Sequence, residues 1–214
     1  MKVLIAIPCM DEIPTPFVQS LVCLKPRSDI EYHFSFMCSS LIYDARNMLA
    51  KQALDIKADY VLWLDSDIQF KPDLLDRLMD DIQDADVVTG LYFMRRAPFS
   101  PTIFKLQELK DGKVTLEKYL DYPEQSVFPI DAAGLGVCLM KTEVLKLVFE
   151  QYGNPFSPLP GWGEDISFFI RAGELEAKMV CDSRLTVGHV MKSMVTEDTY
   201  KVYRTQEEAK NGRH

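Results

Sequence analysis

The stretch that decides the fold is residues 59–70, DYVLWLDSDIQF, in which an apolar run ends in two aspartates. A continuous apolar segment of this length predicts a strand buried on both faces, as in a parallel sheet. Because side chains alternate along a strand, Asp65 and Asp67 should point to the same side where the strand ends. Two carboxylates at the open end of a sheet suit a hard divalent cation that also holds substrate phosphates. The alternative is a pair of surface aspartates in a turn.

Apolar strands and amphipathic helices alternate around this stretch. In the first half the patterns predict strands at 3–7, 31–37, 59–64 and 86–91, with helices at 14–24, 45–56 and from residue 72. Strands separated by helices of this length imply βαβ units and a mainly parallel sheet, whose carboxyl ends share one edge. Ligands bind at that edge.

The second half is less regular. Residues 95–130 contain four prolines and a turn at 110–113, which predict a hairpin or a long active-site loop. Further strands are predicted at 136–140, 178–181 and 185–189, and helices at 142–150 and 164–173. We therefore predict one α/β domain over residues 1–190, a three-layer sandwich with a mostly parallel central sheet. Residues 191–214 form a polar C-terminal tail, which is either a lid or a disordered terminus.

Composition narrows the classes of function. The 214 residues carry a net charge of -8, which disfavours broad binding to nucleic acid or anionic membranes. An acidic protein still binds a small phosphorylated ligand when a divalent cation supplies positive charge. A local basic groove is the alternative, and its members would be Arg95, Arg96, Lys105, Lys110 and Lys113.

The cysteines and the hydropathy pattern indicate a compartment. Five cysteines are scattered singly with no C-x-x-C pair, and most lie in apolar runs, which favours reduced, buried thiols and a cytoplasmic location. No run of 18 apolar residues exists, so the sequence predicts no membrane span.

A second constellation lies at residues 161–174, GWGEDISFFIRAGE. Glu164 and Asp165 fall in the first turn of a predicted helix, where the helix dipole alone explains acidic residues. The other interpretation is functional, because Gly161 and Gly163 let the backbone approach a ligand and Trp162 offers a flat face for a sugar ring. A helix-terminal carboxylate beside such a platform is well placed as a general base.

His189 and Arg46 are single residues with two interpretations each. His189 ends a predicted strand, and a neutral imidazole can complete a carboxylate site for a divalent cation, although a lone histidine is more often structural. Arg46 lies near a helix start, where it is either a diphosphate ligand or a solvated helix arginine.

In their order along the chain, these motifs resemble those of GT-A fold glycosyltransferases, most closely the family-2-like group. A small chain of this type is also similar to enzymes encoded by phages. The resemblance spans residues 1–190. The motifs are Ile7-Pro8 with Glu12, Ala45-Arg46-Asn47, Leu64-Asp65-Ser66-Asp67, Gly134-x-Gly136, Gly163-Glu164-Asp165 and Gly188-His189.

The resemblance implies an enzyme that uses a nucleoside-diphosphate sugar, such as a UDP- or GDP-sugar, together with Mn²⁺ or Mg²⁺. It assigns Pro8 and Glu12 to the base or ribose, Arg46 to the base or diphosphate, Asp65 to the ribose or donor sugar, and Asp67 and His189 to the metal. Asp165 would be the base of an inverting transfer, with Glu164, Trp162 and Gly163 at the acceptor. The acceptor stays open between a saccharide, a protein, a lipid-linked glycan and a modified DNA base.

Two other functions remain as hypotheses. One is a metal-dependent phosphatase that uses Asp65 as nucleophile, although that pattern has Thr or Val where this chain has Gln69. The other is a non-catalytic module that binds nucleotide sugars or glycans.

Overall fold

A computed structural model describes residues 1–10, 12–108, 114–194 and 196–211. Its strands are β1 (Lys2–Cys9), β2 (Glu31–Cys38), β3 (Tyr60–Leu64), β4 (Ile68–Phe70), β5 (Val87–Gly90), β6 (Ile103–Glu108), β7 (Val114–Lys118), β8 (Val127–Pro129), β9 (Ala132–Ala133), β10 (Val137–Lys141), β11 (Met179–Asp182) and β12 (Val187–His189). Its helices are α1 (Thr15–Val22), α2 (Ile42–Asp55), α3 (Leu74–Asp81), α4 (Thr142–Tyr152), α5 (Glu164–Glu174) and α6 (Glu197–Asn211), and a 3₁₀ turn at Ile82–Asp84 follows α3.

The main sheet has seven strands in the order β2-β1-β3-β10-β5-β11-β8. Strands β2, β1, β3, β5 and β11 run in one direction, whereas β10 and β8 are antiparallel to their neighbours. The prediction of a mostly parallel central sheet is therefore confirmed.

Helices cover both faces of this sheet, as the continuous apolar strands predict. In β1, Leu4 and Ala6 join a core cluster with α2, α4 and α5, whereas Val3, Ile5 and Ile7 join a second cluster with α1 and α3. Each fully buried Leu, Ile or Phe in these layers contributes about 1.5–3 kcal/mol of transfer free energy. The three-layer α/β sandwich follows from this two-sided burial.

Strand β10 corrects the expectation that every strand ends at the same edge. It runs antiparallel between β3 and β5, so its start, not its end, lies beside the end of β3. The backbone N–H of Asp65 donates to the carbonyl of Gly136 at 3.0 Å across this junction. A buried apolar strand has the same hydropathy pattern in either direction, which is why the sequence does not show the reversal.

Two small sheets stand beside the main one. Strand β12 pairs with β4, and β6 pairs with both β7 and β9. The antiparallel β6–β7 pair confirms a hairpin, but its predicted turn at 110–113, with Lys110 and Lys113 of the predicted basic groove, lies outside the described residues. In that groove Lys105 approaches Asp131 at 3.8 Å, so part of its charge is already neutralised.

The C-terminal region was predicted to be either a lid or a disordered terminus. The structure has helix α6 there, at Glu197–Asn211. Whether α6 acts as a lid stays a prediction. Across the described part of the chain, every helix is too short or too polar to cross a membrane.

None of the five cysteines forms a disulfide in the structure, and the prediction that they are buried holds only in part. Cys9, Cys138 and Cys181 are buried, whereas Cys23 and Cys38 are exposed.

Candidate active site

Arg46 joins two carboxylates at the edge of the sheet where β1 and β3 end. Its Nη2 donates to Oδ1 of Asp65 at 2.7 Å, and its Nε donates to Oε1 of Glu164 at 3.2 Å. The Arg46 side chain is only 3% exposed, whereas that of Asp65 is 26% exposed. Burial alone would lower the pKa of Arg46, but the charges of Asp65, Glu164 and Asp165, together with the hydrogen bond to Asp65, outweigh burial and raise it. A buried guanidinium is tolerated here because two carboxylates pair with it.

Helix α2 and strand β3 set the position of Arg46. Ala45, Leu49 and Ala53 bury one face of α2, and Arg46 therefore projects inward above the ring of Trp63, 5.7 Å from its centroid. Among the residues that the structure describes, Nη1 of Arg46 finds no hydrogen-bond acceptor. The predicted grip on a base or diphosphate stays a prediction, and the contacts observed are with the protein's own carboxylates.

Asp67 and His189 meet where β4 pairs with β12. His189 Nε2 lies 3.4 Å from Asp67 Oδ1, and His189 Nδ1 lies 2.8 Å from the carbonyl oxygen of Phe93. Since a carbonyl only accepts, Nδ1 carries a proton and Nε2 faces the carboxylate. Burial, the largest single influence, would lower the pKa of His189 and raise that of Asp67. The hydrogen bond and the charge attraction between the two side chains, together with backbone hydrogen bonds, outweigh burial, so the pKa of His189 is raised and that of Asp67 is lowered.

The donor set of this pair fits a divalent cation. A carboxylate oxygen and an imidazole nitrogen converge, and the bond from Nδ1 to a backbone carbonyl holds the ring in the tautomer that a metal needs. In the described ranges no three His, Cys, Asp or Glu side chains form a metal cluster. The protein would therefore provide two ligands and leave the remaining positions to oxygens of a ligand or water.

A third, unpredicted residue contacts this pair. Nη1 of Arg95 donates to Oδ2 of Asp67 at 2.5 Å. Burial would raise the pKa of Asp67, but His189 and then Arg95 lower it. The sequence offered Arg95 only as part of a basic groove, because nothing local links it to Asp67.

Asp165 begins helix α5 directly after Glu164. Its Oδ1 accepts from the backbone N–H of Ile166 at 2.7 Å. Burial first, and then the neighbouring charge of Glu164, raise the pKa of Asp165 to about 6. A carboxyl with such a pKa is matched to proton abstraction near neutral pH.

Gly163 makes room for this carboxyl. A Cβ at position 163 would lie 2.8 Å from Oδ1 of Asp165, closer than real Cβ contacts allow. Trp162 is half-buried and packs against the core cluster beneath α5. The Gly-Glu-Asp motif therefore has a steric reason in addition to the helix dipole.

Tyr92 is buried beneath the site, where it contacts both Gly136 and His189. This residue was not identified from the sequence. Its hydroxyl accepts from the backbone N–H of Gly136 at 3.0 Å, and its ring meets that of His189 edge-on with centroids 5.4 Å apart. A Cβ would lie 2.1 Å from the Tyr92 hydroxyl if added at Gly134 and 2.7 Å from the ring if added at Gly136. The two glycines thus accommodate a tyrosine, a partner that lies more than forty positions away.

Pro8 and Glu12 contribute less to this geometry. Pro8 is buried within β1, and Glu12 is 81% exposed and pairs with Lys192 at 2.7 Å. Their roles at the base or ribose stay predictions. The structure directly joins Arg46 with Asp65 and Glu164, and Asp67 with His189.

This sheet order, with a helical layer on each face, defines a GT-A-like α/β fold. A scan against models of known protein families finds no match to the sequence, and a search of curated proteins finds no significant match.

Two solved structures are similar to the chain. The first is A197 from STIV, with a TM-score of 0.63 and 22% identity over 90% of this chain and 87% of that one. The second is GalNAc-T7, crystallised with UDP, GalNAc and Mn²⁺, with a TM-score of 0.59 and 13% identity over 89% of this chain. The chain spans only 44% of the length of that GalNAc-T7 chain. At these identities the likeness establishes the fold alone.

Proposed function

We propose that the protein is a glycosyltransferase that moves a sugar from a nucleoside-diphosphate sugar to an acceptor hydroxyl with the help of a divalent cation. One observation carries the proposal: the Asp67–His189 pair and the Arg46–Asp65–Glu164 group occupy one sheet edge together with Asp165. The solved structure of GalNAc-T7 with UDP, GalNAc and Mn²⁺ supports it, because that protein shares the fold.

On the donor side, Asp65 binds the ribose or the donor sugar. Arg46 holds its carboxylate in place through the bond at 2.7 Å. Asp67 and His189 would hold Mn²⁺ or Mg²⁺, which when bound supplies the positive charge that stabilises the departing diphosphate.

On the acceptor side, Asp165 takes the proton of the acceptor hydroxyl. The acceptor oxygen forms its bond to the anomeric carbon as the bond from that carbon to the diphosphate oxygen breaks, so the configuration inverts. Glu164 positions the acceptor, and Trp162 with Gly163 forms the surface on which its sugar or other ring lies. The raised pKa of Asp165, about 6, leaves the carboxylate ready to accept a proton at neutral pH.

The same geometry argues against Asp65 as the nucleophile of a phosphatase. One oxygen of Asp65 is already bound by a buried guanidinium at 2.7 Å, which reduces its nucleophilicity. A phospho-aspartate trapped on Asp65 during incubation with phosphate esters would favour the phosphatase instead.

The decisive experiment measures donor turnover with Mn²⁺ across UDP- and GDP-sugars and a panel of saccharide, peptide, lipid-linked and nucleobase acceptors. Asp165→Asn should lose turnover by at least about a hundredfold while still binding UDP or GDP, because it removes only the base. Asp84→Asn is the matched control, since Asp84 is an exposed carboxylate that precedes β5 at the opposite edge of the sheet. Unchanged turnover in Asp165→Asn would refute the assignment of the base.

A further inference from the structure

Arg95 occupies the carboxylate that the proposed function gives to the metal. Its Nη1 lies 2.5 Å from Oδ2 of Asp67, while Nε2 of His189 lies 3.4 Å from Oδ1. Both oxygens of Asp67 therefore have a partner within the protein itself. Within the described part of the chain, Asp67 is the only acid that pairs with Arg95.

Backbone hydrogen bonds hold the main chain around Arg95 in place, whereas its side chain is fixed, within the described residues, only by the pair with Asp67. Met94 N–H donates to the Ser100 carbonyl at 2.9 Å, and Thr102 N–H donates to the Tyr92 carbonyl at 3.1 Å. The carbonyl of Phe93 accepts from His189. The Arg95 side chain, in contrast, is 51% exposed, so its guanidinium can exchange partners by side-chain rotation alone.

A cation on Asp67 and His189 would repel this guanidinium at close range. Two positive groups on one carboxylate repel each other, and because Arg95 is half exposed, solvent screens part of this repulsion. The guanidinium has five N–H donors in a planar fork that matches the oxygens of a phosphate or diphosphate. A ligand that brings a diphosphate together with the cation thus offers Arg95 a replacement anion.

We propose that Arg95 is the internal counter-ion of Asp67 until a divalent cation binds to that carboxylate, and that its guanidinium then moves to the diphosphate of a nucleotide. This inference rests on the proposed function. Arg95 then couples the two ligands. The cation by itself must displace Arg95, whereas the cation with a nucleoside diphosphate leaves Arg95 paired. Because such coupling is reciprocal, each ligand strengthens the binding of the other.

Calorimetry on Arg95→Ala tests both halves of this exchange without measuring activity. With MnCl₂ alone, the variant should bind about two- to fivefold more tightly than the wild type, since a part-exposed ion pair no longer competes. With UDP and GDP in saturating MnCl₂, it should bind about tenfold more weakly, since a charged hydrogen-bond donor is lost. In both titrations, the affinity of Arg95→Lys should lie between those of the wild type and Arg95→Ala.

Arg96→Ala is the matched control, because Arg96 is an exposed arginine of the same loop with no ion pair among the described residues. It should resemble the wild type in both titrations. Arg95→Gln, which keeps hydrogen-bond donors without the charge, decides the question if Arg95→Ala does not fold.

The outcomes separate this inference from the proposed function. If the wild type binds UDP or GDP with Mn²⁺ but Arg95→Ala matches it in either titration, the exchange is overturned and the proposed function stands. Weaker binding of Mn²⁺ alone to the variant also overturns it. If the wild type binds neither Mn²⁺ nor either nucleotide, both proposals are rejected.

Discussion

Arg46 and Glu164 are 118 positions apart in the sequence, yet Nε of the arginine donates to the glutamate at 3.2 Å. The contact ties helix α2 to the first turn of helix α5. Asp65, on the other side of the guanidinium, brings β3 into the same group. The donor side and the acceptor side of the proposed site are therefore linked through one buried charge.

Removing that charge should be costly. Arg46→Ala leaves two partly buried carboxylates beside each other without a counter-ion, and we expect a loss of about 3–5 kcal/mol in the free energy of unfolding. Urea denaturation measures this loss. Arg77→Ala is the control, because its ion pair with Asp73 is exposed, and it should cost less than about 1 kcal/mol. Equal losses in the two variants would contradict the central role of Arg46.

Asp165 predicts a specific pH dependence of activity. Because the pKa of Asp165 is raised to about 6, kcat/KM should fall about tenfold for each pH unit below 6 and level off above it. A pH–rate profile with the identified donor checks this. A profile that is flat between pH 5 and pH 7 would exclude Asp165 as the base.

The same shift predicts a pH dependence of stability. An acid whose folded pKa is raised stabilises the fold fully below its unfolded pKa of 3.8, and this contribution is lost as pH rises through about 6. Asp165→Asn should therefore be more stable than the wild type at pH 8, by about 1–3 kcal/mol, and should show little gain at pH 4. Thermal or urea unfolding at both pH values measures the difference.

The close contact of Tyr92 with Gly134 and Gly136 predicts that a side chain at either glycine destabilises the fold. Gly134→Ala should destabilise the protein by about 1–3 kcal/mol, because the new Cβ would lie 2.1 Å from the Tyr92 hydroxyl. Tyr92→Phe should recover part of that loss in the double variant, since it removes the closest atom. Gly173→Ala is the control, because its Cβ would meet only Met179 at 3.5 Å, and it should be neutral or slightly stabilising.

If Asp67 and His189 bind a divalent cation, the Tm should rise when ligand and cation are added. UDP or GDP with MnCl₂ should raise the Tm of the wild type, and EDTA should reverse the gain, because a ligand that binds only the folded state stabilises it. Asp67→Asn and His189→Gln should each lose most of the Mn²⁺-dependent part. A full gain in both variants would remove Asp67 and His189 as metal ligands.

Local patterns in the sequence were enough for the elements that carry the site. The apolar run at 59–64 predicted a strand that ends in Asp65, and the structure has β3 at Tyr60–Leu64. The pattern after Gly163 predicted a helix, and α5 begins at Glu164. Both predictions succeed because burial of a strand or of a helix face imposes a short period on the chain.

Contacts between distant segments were not predictable in this way. Neither the pairing of Arg95 with Asp67 nor the place of Tyr92 beneath Gly134 and Gly136 leaves a periodic signal. The direction of β10 is hidden for the same reason, because an apolar strand buried on both faces has one pattern for either orientation.

The sequence by itself determined the α/β class, the alternation of strands and helices in the first half of the chain, and the carboxylates at the end of β3 and the start of α5. Only the tertiary structure decided which charges neutralise one another: Arg46 with Asp65 and Glu164, and Asp67 with His189 and Arg95. The physical reason is the sequence separation over which each kind of interaction acts. Backbone periodicity and helix capping act over a few neighbouring residues, whereas an ion pair depends on where the fold brings two segments together.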